Sequence, residues 1–250
     1  PAPRPLPKAA PDMAGSPLFD TIVTVFSCLH NLNSRIPAMR SGWLALLEAL
    51  GVPYVIIVGN GDGSKDGDIV HVDAPDNYEG LPQKTLATIR WVYENTRFSH
   101  LLKIDDDCFL NPDVFFHGQS YRKFDYYGRI LTRRPGDMDR SWHNEKSSSD
   151  RGRLELDKSP EPSTYTDGGT GYALSRTAMA AAIAAEESPE GQHLIQMSFM
   201  EDKMLGDLLA QQGIHPVDED YRTSIRRRTW GKATPVSRWV NSFDASRAAP

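Results

Sequence analysis

The sequence predicts a single α/β domain built on a mostly parallel, mixed sheet with helices on both faces. β-branched apolar runs alternate with stretches of helical period, several of those runs stop at polar or acidic turns, and 250 residues suit one sizeable domain or at most two small ones.

Residues 1–17 are rich in proline and poor in apolar side chains, so they read as a flexible linker or stem, and the domain is expected over 18–250. Residues 21–29 are apolar and β-branched, a buried strand with Ser27 and Cys28 at its exit. A helix is expected over 35–50, where Trp43, Leu46, Leu47 and Leu50 recur at helical spacing and Gly51 supplies the stop. A second strand over 52–58 runs into the turn-rich stretch from Gly59 to Ser64, and a short strand follows near 69–72. Leu86, Ile89, Val92 and Tyr93 mark a helix, and 101–104 the next strand. Residues 132–166 are polar, charged and without sustained period, which predicts a mobile binding loop. Order resumes at Asp167-Gly168-Gly169-Thr170-Gly171, followed by an alanine-rich helix. A last helix opens at Met200-Glu201-Asp202, buries Leu205, Leu208 and Leu209, and ends at Gly213.

Composition narrows the function. A net charge of -5 argues against a nucleic-acid partner, although Arg133-Arg134 and Arg226-Arg227-Arg228 are local basic clusters that could meet phosphate. No apolar stretch approaches the roughly 20 residues that span a bilayer. Cys28 and Cys108 are too few for a disulfide framework, so two free thiols in a reducing, cytoplasmic setting are expected. The first residue is proline, which leaves room for a preceding segment or anchor.

The most informative tract is Leu101-Leu102-Lys103-Ile104-Asp105-Asp106-Asp107-Cys108-Phe109-Leu110-Asn111, an apolar run ending in three adjacent carboxylates. Like charges at a strand exit repel, and a hard divalent cation, manganese first and magnesium second, would hold them together. A solvated acidic turn is the plainer reading. The carboxyl ends of strands in such sheets are where ligands sit, which favours a site.

Three separated motifs resemble glycosyltransferase family 31, the inverting β-1,3-galactosyl- and N-acetylglucosaminyltransferases that include core 1 synthase and Fringe. The triplet with its flanks is similar to that family's DxD motif. The stretch from Tyr165 to Ser175 is similar to its glycine-rich motif, and Glu201-Asp202 with Gly206 to its E-D-x-x-x-G motif. Arg40 and Trp43 echo an R-x-T-W signature, and Asp76, Tyr78, Leu81 and Lys84 a D-x-Y-x-N-L-x-x-K stretch. The family's K-W-Y motif and late histidine have no clear counterpart, and His215 sits too early. These gaps suggest a distant microbial or viral relative.

The resemblance implies a GT-A-like domain that moves a hexose from a UDP-sugar donor to a glycan or glycoconjugate acceptor. It implies Asp107 as direct metal ligand with Asp105 behind it or facing the ribose, and Asp202 as the base, with Glu201 the first substitute. A helix amino terminus would keep the Asp202 carboxylate ionised. Donor binding would fall to Ser27, Arg40, Asp76, Lys84, Asp105, Asp106, Gly168 and Gly169, with Arg226 to Arg228 closing over the phosphates. Trp142 and His143 are acceptor candidates. Two other readings use the same residues, a metal-dependent phosphoryl or nucleotidyl transferase and a non-catalytic glycan-binding module. The first should carry a G-x-x-x-x-G-K loop, which is absent.

Overall fold

β1 (Thr21–Phe26) is buried along its whole length, because it is flanked by parallel strands and covered by helices on both faces. β2 (Tyr54–Val58) lies on one side of it and β5 (His100–Asp105) on the other, with Val25 opposite both Ile56 and Ile104. The computed structural model describes residues 20–136, 145–149 and 157–219, and the backbone of 225–227. β4 (Ile69–His71) extends the parallel set beyond β2, and β3 (Ser64–Asp66) closes that edge as an antiparallel strand. On the far side of β5, β10 (Tyr172–Ser175) runs antiparallel, then β7 (Tyr126–Gly128) and β11 (Val217–Asp218). Among the described residues these eight strands make one mixed sheet. The expected α/β class holds.

Alternate residues of the central strands feed two separate cores. Val23, Val25, Ile56, Leu102 and Ile104 face α1 (Arg35–Arg40), α2 (Trp43–Leu50) and α4 (Pro112–Gly118) through Ile36, Met39, Trp43, Leu44, Leu47, Phe115 and Phe116. Ile22, Val55, Ile57, Leu101 and Leu174 face α3 (Leu81–Asn95), α5 (Arg176–Glu187) and α7 (Glu201–Gln211) through Ile89, Val92, Ala178, Met179, Leu205 and Leu209. Each such fully buried Leu, Ile or Val contributes roughly 1.5–3 kcal/mol relative to exposure. α6 (Pro189–Met197) packs beside them through Leu194.

Two expectations are corrected. The helix over 35–50 is interrupted, because Gly42 adopts a non-helical conformation between α1 and α2, and Leu46 is 48% and Leu50 37% exposed while Trp43, Leu44 and Leu47 form the buried face. Gly51 does end α2 in the left-handed conformation, at φ 71. The stretch over 132–166, expected to lack regular structure, begins and ends in strands. β8 (Ile130–Arg133) pairs antiparallel with β9 (Ser163–Thr166), Thr132 opposite Thr164, and Asp157 binds the backbone N–H groups of Phe199 at 2.8 Å and Met200 at 3.1 Å, supporting the start of α7.

Candidate active site

β1 and β5 end side by side, Phe26 opposite Asp105, and the Asp106 amide donates to the Phe26 carbonyl at 3.0 Å. The triplet therefore turns at the carboxyl edge of the sheet and continues into β6 (Cys108–Leu110). Its three carboxylates part company. Asp105 accepts from the Lys103 ammonium at 2.6 Å. Asp106 turns inward, accepting from Ser27 Oγ at 2.7 Å and Asn31 Nδ2 at 2.8 Å and pairing with Arg35. Asp107 accepts from the Cys108 thiol at 3.7 Å. The repulsion expected of three adjacent carboxylates is thus largely relieved by Lys103 and Arg35, whose cations lie against the first and second members.

Lys103 is the hub of the site. Its side chain is 2% exposed, and its Nζ donates to Asp105, to the Gly168 carbonyl at 2.9 Å and to Glu201 Oε1 at 3.0 Å. Burial pulls its pKa down, but Asp105 and Glu201 outweigh that and hold it above the usual lysine range. One buried ammonium thus joins the acidic triplet, the glycine-rich turn and the start of α7. Glu201 is fully engaged, its other oxygen taking Thr85 Oγ1 at 3.0 Å and the Tyr172 hydroxyl at 3.4 Å. A Cβ at Gly168 would collide with Glu201 Oε1, so the close approach requires glycine. Gly169 donates to Asp167 at 3.0 Å, and its carbonyl accepts from Cys108 Sγ at 3.1 Å.

Asp202 faces the same turn, accepting from the Gly168 amide at 3.0 Å and the Lys203 amide at 2.8 Å. Burial and the adjacent Glu201 carboxylate push its pKa up to about 7, against the downward pull of those amides and of Lys103. The helix terminus alone does not keep this carboxylate ionised, which corrects the expectation drawn from the macrodipole. A carboxyl poised near neutrality suits proton abstraction.

The other expected donor residues divide. Lys84 and Asp76 are buried against each other at 2.6 Å, with Lys84 also donating to the Ser27 carbonyl and Asp76 accepting the Leu29 and Gly59 amides. This pair fixes the exits of β1 and β2 beside the triplet. Arg40 is not brought there, because it pairs with Asp68 on the surface at the end of α1. Trp142, His143 and Arg228 lie outside the described residues. β12 (Ile225–Arg227) pairs antiparallel with β6, Arg227 opposite Cys108, so the backbone of Arg226 and Arg227 lies beside the strand that follows the triplet. Lys103 itself escaped the sequence reading as a site residue. Its signal was a lysine inside an otherwise apolar strand, which must find buried partners.

A model of the family described as galactosyltransferase matches residues 60–220, well over half of the chain and inclusive of the triplet, the glycine-rich turn and the Glu201-Asp202 helix. The chain belongs to the galactosyltransferase family. One stretch of 64 residues is 39% identical to the mouse protein named UDP-GalNAc:beta-1,3-N-acetylgalactosaminyltransferase 2, covering 26% of this chain and 13% of that protein. The human protein of that name is 46% identical over 50 residues, covering 20% of this chain and 10% of that protein. The chain thus spans about a tenth of these relatives. They are vertebrate proteins and give no support to a microbial or viral origin. Among solved structures, the galactosyltransferase LgtC with donor and acceptor sugar analogs aligns over 91% of this chain and 93% of its own, at TM-score 0.47 and 11% identity.

Among the described residues, no group of three or more His, Cys, Asp or Glu could hold a metal ion, and no helix is long and apolar enough to cross a membrane.

Proposed function

We propose that this chain transfers a hexose, galactose or an N-acetylhexosamine, from a UDP-sugar to a sugar hydroxyl, with inversion and a β-1,3 linkage. The Lys103 bridge carries this reading, because it brings the acidic triplet and Asp202 to one turn. The name of the mouse and human relatives favours UDP-N-acetylgalactosamine among the donors and supports the linkage.

Asp107, with Asp105 behind it, would hold manganese or magnesium, which would supply positive charge for the departing UDP. Asp202, held by Gly168, accepts the proton of the acceptor hydroxyl as that oxygen bonds to the anomeric carbon and the bond to the diphosphate oxygen breaks. A single carboxylate poised near neutrality suits direct displacement, and Glu201, spent on Lys103, Thr85 and Tyr172, is unsuited to the role. Lys103 keeps a fixed positive charge behind the turn.

The melting temperature with UDP tests the donor half of this reading. UDP with manganese is expected to raise it, and UDP alone or manganese alone to leave it nearly unchanged. An equal rise from UDP with and without manganese would remove the metal from the account.

A further inference from the structure

Three consecutive side chains tie the first turn of α7 to three different parts of the domain. Glu201 reaches Lys103, Asp202 reaches the Gly168 amide, and Lys203 reaches the segment that leads into β9. Lys203 is fully buried, and its three ammonium hydrogens meet three acceptors: Ser159 Oγ at 2.7 Å, the Pro160 carbonyl at 2.8 Å and Asp207 Oδ2 at 2.8 Å. Ser159 Oγ in turn donates to Asp157 Oδ1, while Asp157 Oδ2 takes the Phe199 and Met200 amides as the chain enters the helix. At the far end, Asp207 Oδ1 accepts from Ser163 Oγ at 2.5 Å, where β9 begins. One chain of hydrogen bonds through Asp157, Ser159, Lys203, Asp207 and Ser163 thus straps residues 157–163 along α7.

We infer that Lys203 and Asp157 are positioning residues for the transfer step, holding the first turn of α7 so that Asp202 meets the acceptor hydroxyl. The inference rests on the transfer reading above. The Lys203 amide donates to Asp202 Oδ1 at 2.8 Å while the Gly168 amide holds Oδ2 at 3.0 Å. A backbone N–H aims a carboxylate only as well as its own residue is held, and the Lys203 ammonium holds this one. Met200, at the N-cap, contributes no capping side chain, so Asp157, 43 residues earlier, fixes the entry into the turn. A buried ammonium among carboxylates adds little net stability over apolar packing. What it supplies here is geometry one residue from the base, where a displacement of about 1 Å can cost roughly 10²-fold in rate. Glu201 keeps its own anchors in Lys103, Thr85 and Tyr172, so cutting the strap leaves the triplet side in place.

The test follows UDP release from UDP-galactose, UDP-N-acetylglucosamine and UDP-N-acetylgalactosamine, with manganese and benzyl β-galactoside or benzyl β-N-acetylglucosaminide as acceptor. Rates are taken well below each variant's melting temperature, so that folded protein is compared with folded protein. Lys203→Met is expected to lower kcat by about 10- to 100-fold, with donor KM within about twofold of native and the melting shift from UDP with manganese kept. Adding Asp207→Asn removes the carboxylate stranded by that change and should raise the melting temperature again without restoring kcat. Recovery of kcat together with the melting temperature would overturn the inference and leave the strap a purely structural role. A native kcat in Lys203→Met, or a loss confined to donor KM, would overturn it too. If Lys203→Met fails to fold, Ser159→Ala cuts only the link between Asp157 and Lys203 and should lower kcat by a smaller factor, so native kcat there counts against the inference. A native protein that releases UDP from none of the three donors would sink the transfer reading itself, which the variant results alone cannot do.

Discussion

Lys103 on β5 and Glu201 at the start of α7, 98 residues apart, meet at 3.0 Å inside the domain. Each is nearly buried, at 2% and 10% side-chain exposure, so neither charge has water to fall back on. The pair makes the two acidic motifs one structural unit.

Removing one partner is therefore expected to cost far more than the pair contributes. Lys103→Met leaves Glu201 buried without its cation and should destabilise the fold by about 3–5 kcal/mol. Adding Glu201→Gln should recover much of that loss. Urea denaturation of the single and double variants measures both, and a single variant within about 0.5 kcal/mol of native would refute the pairing.

Asp202 ties activity to pH. With its pKa at about 7, transfer should climb as pH rises towards neutrality, and the acid limb should vanish in Asp202→Asn together with roughly 10²- to 10⁴-fold of the rate. Stability moves the opposite way. The folded state binds the proton more tightly than the unfolded chain, whose carboxyl titrates near 3.8, so this group's contribution is complete below that value and is lost as pH rises through about 7. Denaturation at pH 4.5 and 7.5 should show native stability falling more over that interval than in Asp202→Asn.

Gly168→Ala places a methyl against Glu201 Oε1, at the turn that also holds Lys103 and Asp202. We expect about 1–3 kcal/mol of destabilisation, typical of overpacking, and a larger proportional loss of transfer. Retained transfer with lowered stability would mean that the turn tolerates movement without disturbing Asp202.

Glu79 holds the short segment at 145–149, accepting from the amides and hydroxyls of Ser148 and Ser149. Burial pushes its pKa up, but the serine hydrogen bonds prevail and hold it at about 2. Its folded pKa is depressed, so its contribution is present above an unfolded value near 4.5 and is lost as pH falls towards 2. Glu79→Gln should speed proteolysis at this segment at neutral pH. Equal cutting of variant and native protein would show that the segment is held by something else.

The central strands were legible because β1, β2 and β5 are continuous apolar runs, the mark of strands covered on both faces. The triplet, the glycine turn and the Glu201-Asp202 helix start were legible as motifs. The break at Gly42 was hidden by an apolar period that continues across it. The β8–β9 hairpin was hidden because Thr132, Arg133 and Thr164 alternate with too few apolar residues to signal a strand. The partners of Lys103 and the surface pairing of Arg40 with Asp68 depend on side chains brought together only by the sheet and the packed helices.

The central claim is hexosyl transfer with the triplet and Asp202 working as one site, and UDP release tests it most directly. Native protein, Asp107→Ala and Asp202→Asn would each be incubated with UDP-galactose, UDP-N-acetylglucosamine and UDP-N-acetylgalactosamine, with manganese and a sugar acceptor. We expect the native protein to release UDP from at least one donor. Asp107→Ala should lose both release and manganese-dependent UDP binding, whereas Asp202→Asn should lose release and keep that binding. Release from none of the three donors, or native rates in both variants, would contradict the account.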